Sequence, residues 1–225
     1  MKYSSHARLL AAAVVAAGLV LAPGTAHARD ASGTAVEGPV PGAPPGDPSS
    51  PDVEDTYPWM ATNVDLAARG YVEQEFFVSG EASAYDTTGE RLATGVPYKT
   101  RVIVRRPARP HRFNGTVIAE WQNVTAGYDL DALWSTDQIT RDGYVWAGIS
   151  AQRVGVQQLT RWSPARYGDL DVTGGGRFTN DELSYDIYAQ VAKALRRSGA
   201  SAPLGGLKAR TILGVGASQS AARMT

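Results

Sequence analysis

TILGVGASQSAARM, residues 211–224, contains a change from one type of secondary structure to another. Residues 211–213 are β-branched or apolar and predict the body of a short buried strand, whereas residues 220–224 predict the first turn of a helix. The residues between them, GASQS at 216–220, are small except for Gln219. The stretch therefore predicts a strand, a sharp turn that presents Ser218, and a helix.

This turn has the composition that a nucleophilic serine requires. A serine hydroxyl is a weak nucleophile and has to be lifted out of the sheet toward a base and a substrate. A strained strand-to-helix turn does this, and the small residues Gly216 and Ser220 let the strand and the helix pack closely. The backbone N–H of Gln219, at the start of the helix, is the expected oxyanion donor.

The pattern is close to G-x-S-x-G, the nucleophile elbow of α/β-hydrolases, with Ser220 in place of the second glycine. We therefore predict that Ser218 is the catalytic nucleophile. The alternative is an ordinary glycine-rich turn that ends a strand, because short motifs of this kind also occur by chance.

Residues 1–28 have the layout of a secretory signal peptide. Lys2 and Arg8 precede an apolar run at residues 9–21, and Ala26 and Ala28 flank His27 as in a cleavage site. The run is shorter than the roughly 20 residues of a membrane span. We expect cleavage after Ala28 and a secreted protein without a membrane span.

The composition argues against several classes of partner and cofactor. Residues 29–225 contain 20 basic and 22 acidic residues, which gives no reason to expect a nucleic-acid or membrane-surface partner. The chain has no cysteine, so disulfides and thiolate metal sites cannot form. Asp169 and Asp171 in one loop fall short of a calcium site. We predict no cofactor and no metal, and a small molecule as the partner.

The rest of the chain divides into a linker and one domain. Residues 29–55 are rich in Pro, Gly, Ser and Ala and predict a disordered linker. Residues 56–225 predict antiparallel edge strands followed by a mostly parallel α/β sheet with helices. The predicted strands lie at 71–85, 98–105, 116–121 and 144–149, and a turn at 86–90 joins the first two. The predicted helices lie at 130–141 and 181–197, with an irregular loop between them at 157–178. Thr179 and Glu182 have the spacing of a capping box at the start of the second helix.

Several strings resemble a bacterial family known as alpha/beta hydrolase domain proteins. They are YKTRVIVRRP at 98–107, FNGTVIAEWQNVTAG at 113–127, GYVWAGISAQRVGV at 143–156 and GASQSAARMT at 216–225. The resemblance covers roughly residues 57–225, and it implies the amino-terminal part of an α/β-hydrolase fold and a serine hydrolase of carboxylic esters or related acyl compounds. In that family the elbow reads G-E-S-Q-S-A, so Ala217 here replaces an acidic residue and changes the local charge.

The resemblance also implies a second oxyanion donor in the loop after the third strand. By position, the donor is the backbone N–H of Asn123, or that of Gln122. The alternative is that Trp121 anchors the core and Asn123 is only a turn residue.

A complete triad is not present in this sequence. In α/β-hydrolases the acid and the histidine follow the serine, but residues 219–225 contain neither. His111, which precedes the third strand, is predicted to be an exposed loop residue. We therefore expect the sequence to be an amino-terminal fragment, inactive and poorly stable by itself, whose Asp–His pair lies elsewhere in the parent protein.

Two other functions are compatible with parts of the sequence. A dinucleotide-binding turn is disfavoured, because Gln219 stands where G-x-G-x-x-G needs a small residue. A non-catalytic binding or structural protein on the same fold stays open, because Ala217 departs from the family's elbow and no base is present.

Overall fold

The computed structural model describes residues 33–42, 58–199 and 201–225, and the backbone alone of residues 28 and 29. Most of the predicted signal peptide, residues 1–28, and most of the predicted linker, residues 29–55, lie outside this part of the chain. Within the described part, no helix has the length and apolar character that crossing a bilayer requires.

The described chain forms a seven-stranded sheet flanked by helices. The strand order is β1-β2-β3-β4-β6-β5-β7, in which β5 is parallel to both β6 and β7 and the other neighbouring pairs are antiparallel. The sheet is therefore mixed and fits an α/β fold, but it is not mostly parallel as predicted. The strands are β1 (Ala28–Arg29), β2 (Ala35–Glu37), β3 (Tyr71–Tyr85), β4 (Arg91–Pro107), β5 (Thr116–Trp121), β6 (Val145–Ile149) and β7 (Thr211–Gly216), and the helices are α1 (Thr136–Asp142), α2 (Arg153–Trp162), α3 (Pro164–Tyr167) and α4 (Ser184–Ala194), with short 3₁₀ turns at Pro110–Arg112 and Ala221–Arg223.

The central strands follow from their composition. β6 is buried at every position, as a continuous apolar run requires when both faces of a strand are covered. β3 has the predicted bounds and pairs with β4 along its whole length, from Tyr71 opposite Pro107 to Tyr85 opposite Arg91. β4 begins before the predicted residue 98 because this pairing continues down to the hairpin turn.

Helix α4 shows the predicted apolar face but not the predicted start. Its inward side chains Leu183, Ile187, Val191 and Leu195 are fully buried, which confirms the four-residue spacing.

The predicted capping box between Thr179 and Glu182 is wrong. Asp181 has a φ of 65°, in the left-handed region, so the helix can begin only after it, at Ser184. The Glu182 carboxylate instead accepts a hydrogen bond from the N–H of Asn180 at 2.8 Å.

Two further element predictions are wrong. The helix predicted at 130–141 begins only at Thr136, because charges draw the preceding segment into the loop: the N–H of Leu133 donates to Glu120, and Asp131 pairs with Arg105. The region 157–178, predicted to be irregular, contains most of α2 and all of α3. The Ser163 side chain accepts a hydrogen bond from the N–H of Arg166 and caps α3.

Both ends of the sheet differ from expectation. Residues 35–37 lie inside the predicted disordered linker but form β2, where Val36 lies opposite Val78 and is 3% exposed. A strand next to the edge of the sheet, with one well-covered valine, can be ordered within an otherwise linker-like composition. At the other edge, β7 pairs with β5 and none of its residues is buried, so its predicted burial is wrong; Leu213 is 47% exposed.

The sheet topology brings two loops together. β5 and β7 are parallel neighbours, so the loops that follow Trp121 and Gly216 leave the sheet at the same edge. In open α/β sheets this edge, outside the carboxyl ends of the strands, is where ligands bind.

Candidate active site

Ser218 lies at the tip of the turn that follows β7. Its φ of 52° falls in the left-handed region, which residues other than glycine rarely adopt. The side chain is exposed, and among the described residues no group hydrogen-bonds its hydroxyl. The turn therefore holds a strained backbone and presents a free hydroxyl to solvent, an arrangement that suits a nucleophile.

Gly216 and Ser220 make this turn compact. A Cβ on Gly216 would lie 2.5 Å from the backbone oxygen of Ser220, so only glycine fits there without displacing the turn. Ser220 is fully buried, and its Oγ lies 2.9 Å from both the backbone N and the backbone O of Ala217. The serine in the place of the second glycine thus fastens the turn by hydrogen bonds. The chain continues into the short 3₁₀ turn Ala221–Arg223, where the sequence predicted a first helical turn.

The two proposed donors in the loop after β5 have different surroundings. The N–H of Gln122 donates to Ile149 O at 3.2 Å and so continues the pairing of β5 with β6. Asn123 lies one residue further, and its backbone O accepts from Leu130 N at 3.0 Å. The Gln122 amide therefore has a backbone partner, and Asn123 is bridged to Leu130.

The side chain of Asn123 joins the two loops directly. Its Nδ2 donates to Ala217 O at 2.7 Å, and its Oδ1 accepts from Thr125 N at 2.9 Å. Asn123 therefore ties the residue before Ser218 to the loop after β5. The sequence offered Asn123 only as a backbone donor or a turn residue, because the contact depends on β5 and β7 being neighbours.

Gln219 has a side-chain partner that the sequence did not indicate. Its Nε2 donates to Gln152 Oε1 at 3.1 Å, and Gln152 is 2% exposed just before α2. The third member of this contact is Trp121, whose Nε1 donates to the same Gln152 oxygen at 3.0 Å.

No histidine approaches Ser218 in the part of the chain that the structure describes. His111 is exposed in the 3₁₀ turn Pro110–Arg112, which leads into the amino-terminal end of β5. Ser218 follows the carboxyl end of β7, which is parallel to β5. Six residues of strand span roughly 20 Å, so the two side chains lie at opposite ends of the sheet.

A buried polar cluster lies under the loop after β5. Ser150 Oγ donates to Asp129 Oδ2, and Arg101 Nη1 lies 4.0 Å from the same oxygen. Burial raises the pKa of Asp129 to about 6, against the opposing effect of the Arg101 charge. The Glu120 carboxylate accepts from Trp146 Nε1 at 2.8 Å, and burial raises its pKa to about 7. Neither acid hydrogen-bonds Ser218.

A cavity of about 750 Å³ lies at the same edge of the sheet. The turn between β3 and β4 forms one wall, and residues 180–182 with Tyr185 of α4 form another. Arg223, five residues after Ser218, also lines it. Among residues 33–42, 58–199 and 201–225, no group of three His, Asp or Glu side chains could hold a metal ion.

The chain matches one family of known proteins. The family described as Alpha/beta hydrolase domain matches residues 36–225, which includes β2 and extends through the turn at Ser218. No curated protein and no solved structure matches the chain.

Proposed function

The chain belongs to the Alpha/beta hydrolase domain family, and on that premise we propose that it carries the nucleophile of a secreted serine hydrolase. The substrate is a carboxylic ester or a related acyl compound. The observation that carries this proposal is the turn at Ser218, where a left-handed serine presents an unbonded hydroxyl at the carboxyl edge of the sheet.

In the proposed reaction, Ser218 Oγ attacks the carbonyl carbon of the substrate and its proton passes to a histidine. The negative oxygen that forms accepts hydrogen bonds from the backbone N–H groups of Gln219 and Asn123. The alcohol then leaves with the proton, and water hydrolyses the acyl-enzyme by the same route.

The cavity that Arg223 lines, at the edge of the sheet where Ser218 lies, supports a small-molecule substrate. Its volume of about 750 Å³ lies in the range of small-molecule sites, and Tyr185 and Leu92 give it apolar walls. Secretion rests on the layout of residues 1–28, and amino-terminal sequencing of protein recovered from the medium tests it, with Arg29 as the expected first residue.

A non-catalytic protein on this fold is the second candidate. It is favoured by the absence of a histidine near Ser218 in the described residues and by Ala217, which replaces the acidic residue of the family's elbow.

Replacement of the nucleophile separates the two functions. We expect the natural full-length protein to hydrolyse p-nitrophenyl acetate or butyrate and to react with a fluorophosphonate probe. Ser218→Ala should abolish labelling and lower turnover by at least about 10³-fold, because removal of a nucleophile leaves only the binding and oxyanion contributions. Ser135→Ala, at an exposed serine before α1, is the matched control and should leave both unchanged. Turnover that survives Ser218→Ala would exclude Ser218 as the nucleophile, and a native protein that neither turns over nor labels would exclude the hydrolase.

A further inference from the structure

Gln152 is a buried amide that joins three elements at the carboxyl edge of the sheet. Its Oε1 accepts from Trp121 Nε1 at 3.0 Å and from Gln219 Nε2 at 3.1 Å. Its Nε2 donates to Asp181 Oδ2 at 2.9 Å. Gln152 is 2% exposed, and its contact with Trp121 is fully buried.

The neighbours of Gln152 fix the orientation of its amide. The Trp121 indole N–H can only donate, and the Asp181 carboxylate can only accept. The oxygen of Gln152 must therefore face Trp121 and its nitrogen must face Asp181. Gln219 has to donate to that oxygen, which leaves its own Oε1 buried without a partner among the residues that the structure describes.

A buried polar atom without a partner costs free energy. The unpaired oxygen belongs to Gln219, the residue that follows the proposed nucleophile. A second unfavourable feature, a strained backbone, lies nearby. Asp181 adopts a φ of 65°, in which its carboxylate also accepts from Arg153 N at 2.8 Å and lies 3.2 Å from Arg223 Nη2. Strain of this kind persists only where surrounding contacts impose it, and it is concentrated at functional sites.

The contacts of Gln152 connect the two loops that carry the proposed oxyanion donors. Trp121 ends β5 two residues before Asn123, and Gln219 is itself the other donor. Gln152 follows β6, and β5 lies between β6 and β7 in the sheet. The Gln152 side chain therefore reaches across the end of β5 to contact Gln219.

We propose that Gln152 is the positioning residue of the oxyanion site. Its single oxygen sets the separation of the Gln219 and Asn123 amides by holding Gln219 and Trp121 together. This inference rests on the function proposed above. Oxyanion donors act at 2.7–3.1 Å from the developing charge, and a misplacement of about 1 Å costs on the order of 10²-fold in rate.

The test is kinetic and uses the natural full-length enzyme. Gln152→Leu should lower kcat by about 10- to 100-fold and leave KM within about twofold, because the substrate carbonyl needs the donors less than the oxyanion does. A trifluoromethyl ketone inhibitor, whose adduct with serine carries an oxyanion, should lose affinity by the same factor as kcat. Gln157→Leu, at an exposed glutamine of α2, is the control and should change neither.

A second variant separates positioning from folding. Gln152→Glu keeps an oxygen acceptor for Trp121 and Gln219, and Asp181→Asn supplies the donor that then faces it. The carboxylate charge that Arg223 pairs with thereby moves from residue 181 to residue 152. The combined variant should keep kcat within about threefold of the wild type, whereas Gln152→Glu alone places two carboxylates together and should lose more. Should Gln152→Leu fail to fold, the combined variant alone decides.

Three results would overturn the proposal. The first is a folded Gln152→Leu variant with wild-type kcat, and the second is one in which KM rises as much as kcat falls. The third is a combined variant that loses more than tenfold in kcat. Loss of turnover in Ser218→Ala with unchanged Gln152→Leu kinetics would reject this inference alone, whereas turnover retained by Ser218→Ala would reject the proposed hydrolase and this inference with it.

Discussion

Gly216 lies at the closest backbone approach within the elbow. An added Cβ would meet the oxygen of Ser220 at 2.5 Å and the nitrogen of Ala221 at 2.8 Å, and both belong to the backbone, which cannot rotate away. The clash would push the turn off β7 or force Ser218 out of its left-handed conformation. Either response also moves the hydroxyl that the proposed reaction uses.

Gly216→Ala should therefore lower the free energy of unfolding by about 1–3 kcal/mol, the usual cost of overpacking. It should also slow fluorophosphonate labelling of Ser218 in the full-length protein by more than tenfold. Urea unfolding and the labelling rate measure the two effects. The control is Gly175→Ala, where a Cβ has open space and only the left-handed φ of 73° adds a cost of about 1 kcal/mol, with unchanged labelling. A Gly216→Ala variant that labels at the wild-type rate would show that the close approach is unimportant.

Single residues differ in how far the sequence can identify their roles. Ser218, Gly216 and Ser220 are consecutive or nearly so, and a turn imposes its demands on neighbours in the chain. Asn123, which follows β5, and Gln152, which follows β6, contact the same turn. Their side-chain contacts depend on the order β6-β5-β7, which no local pattern contains. Asn123 was therefore predicted only in part, and Gln152 was missed.

At the scale of elements, one face of β4 is apolar and the other is charged. Val102 and Val104 point into the apolar core, whereas Arg101 and Arg105 on the other face are buried among acids. Arg101 Nε lies 2.6 Å from Glu75 Oε1, with both side chains almost inaccessible to water. A pair of this kind is costly to break, because the remaining partner is an unpaired buried charge.

Arg101→Met should lower the free energy of unfolding by about 1–3 kcal/mol, since the buried Glu75 carboxylate would lose one cation and keep Arg166. Glu75→Gln should then cost less in the Arg101→Met background than in the wild type, because one of the cations that need the carboxylate is already gone. Urea unfolding of both single variants and the double variant measures the coupling in a double-mutant cycle. Arg109→Met, at an exposed arginine, should change stability by less than about 0.5 kcal/mol. Additive losses from Arg101→Met and Glu75→Gln would refute the interdependence.

Elements were predictable where one periodic apolar pattern decides the structure. β3, β5 and β6 show β-rich or continuous apolar runs, and α4 shows a four-residue repeat. Helix α2 was missed because Gly155 interrupts its pattern. The structure explains this glycine: a Cβ there would lie 1.9 Å from Asp129 Oδ1, so the buried carboxylate requires it. A long-range contact thus placed a helix-weakening residue inside a helix, and local propensity could not show it.

At the scale of the whole molecule, one face of the sheet encloses an excess of acidic groups. The acids are Glu73, Glu75, Glu120, Asp129 and Asp131, and the bases that pair with them are Arg101, Arg105 and Arg166. The two acids with raised pKa values, Glu120 and Asp129, belong to this set. The sequence predicted neither, because its acids and bases are evenly balanced and nothing local shows which of them are buried together.

This buried excess of acidic groups predicts that the free energy of unfolding falls as the pH rises from 5 to 8. The pKa of Glu120 is about 7 in the folded protein and 4.5 in an unperturbed side chain, so between these values the folded state holds a proton that the unfolded state has released. The stabilisation is complete below about pH 4 and is lost as the pH rises through 7, where the folded state carries a buried charge. Asp129, with a folded pKa of about 6, adds to the same trend.

Glu120→Gln should reduce the fall in the free energy of unfolding between pH 5 and 8 by on the order of 2 kcal/mol. Urea unfolding at constant ionic strength measures it, and Glu90→Gln, at an exposed turn residue, should follow the wild type. A wild-type stability that rises over this range, or an unchanged slope in Glu120→Gln, would mean that Glu120 is ionised in the fold at little cost.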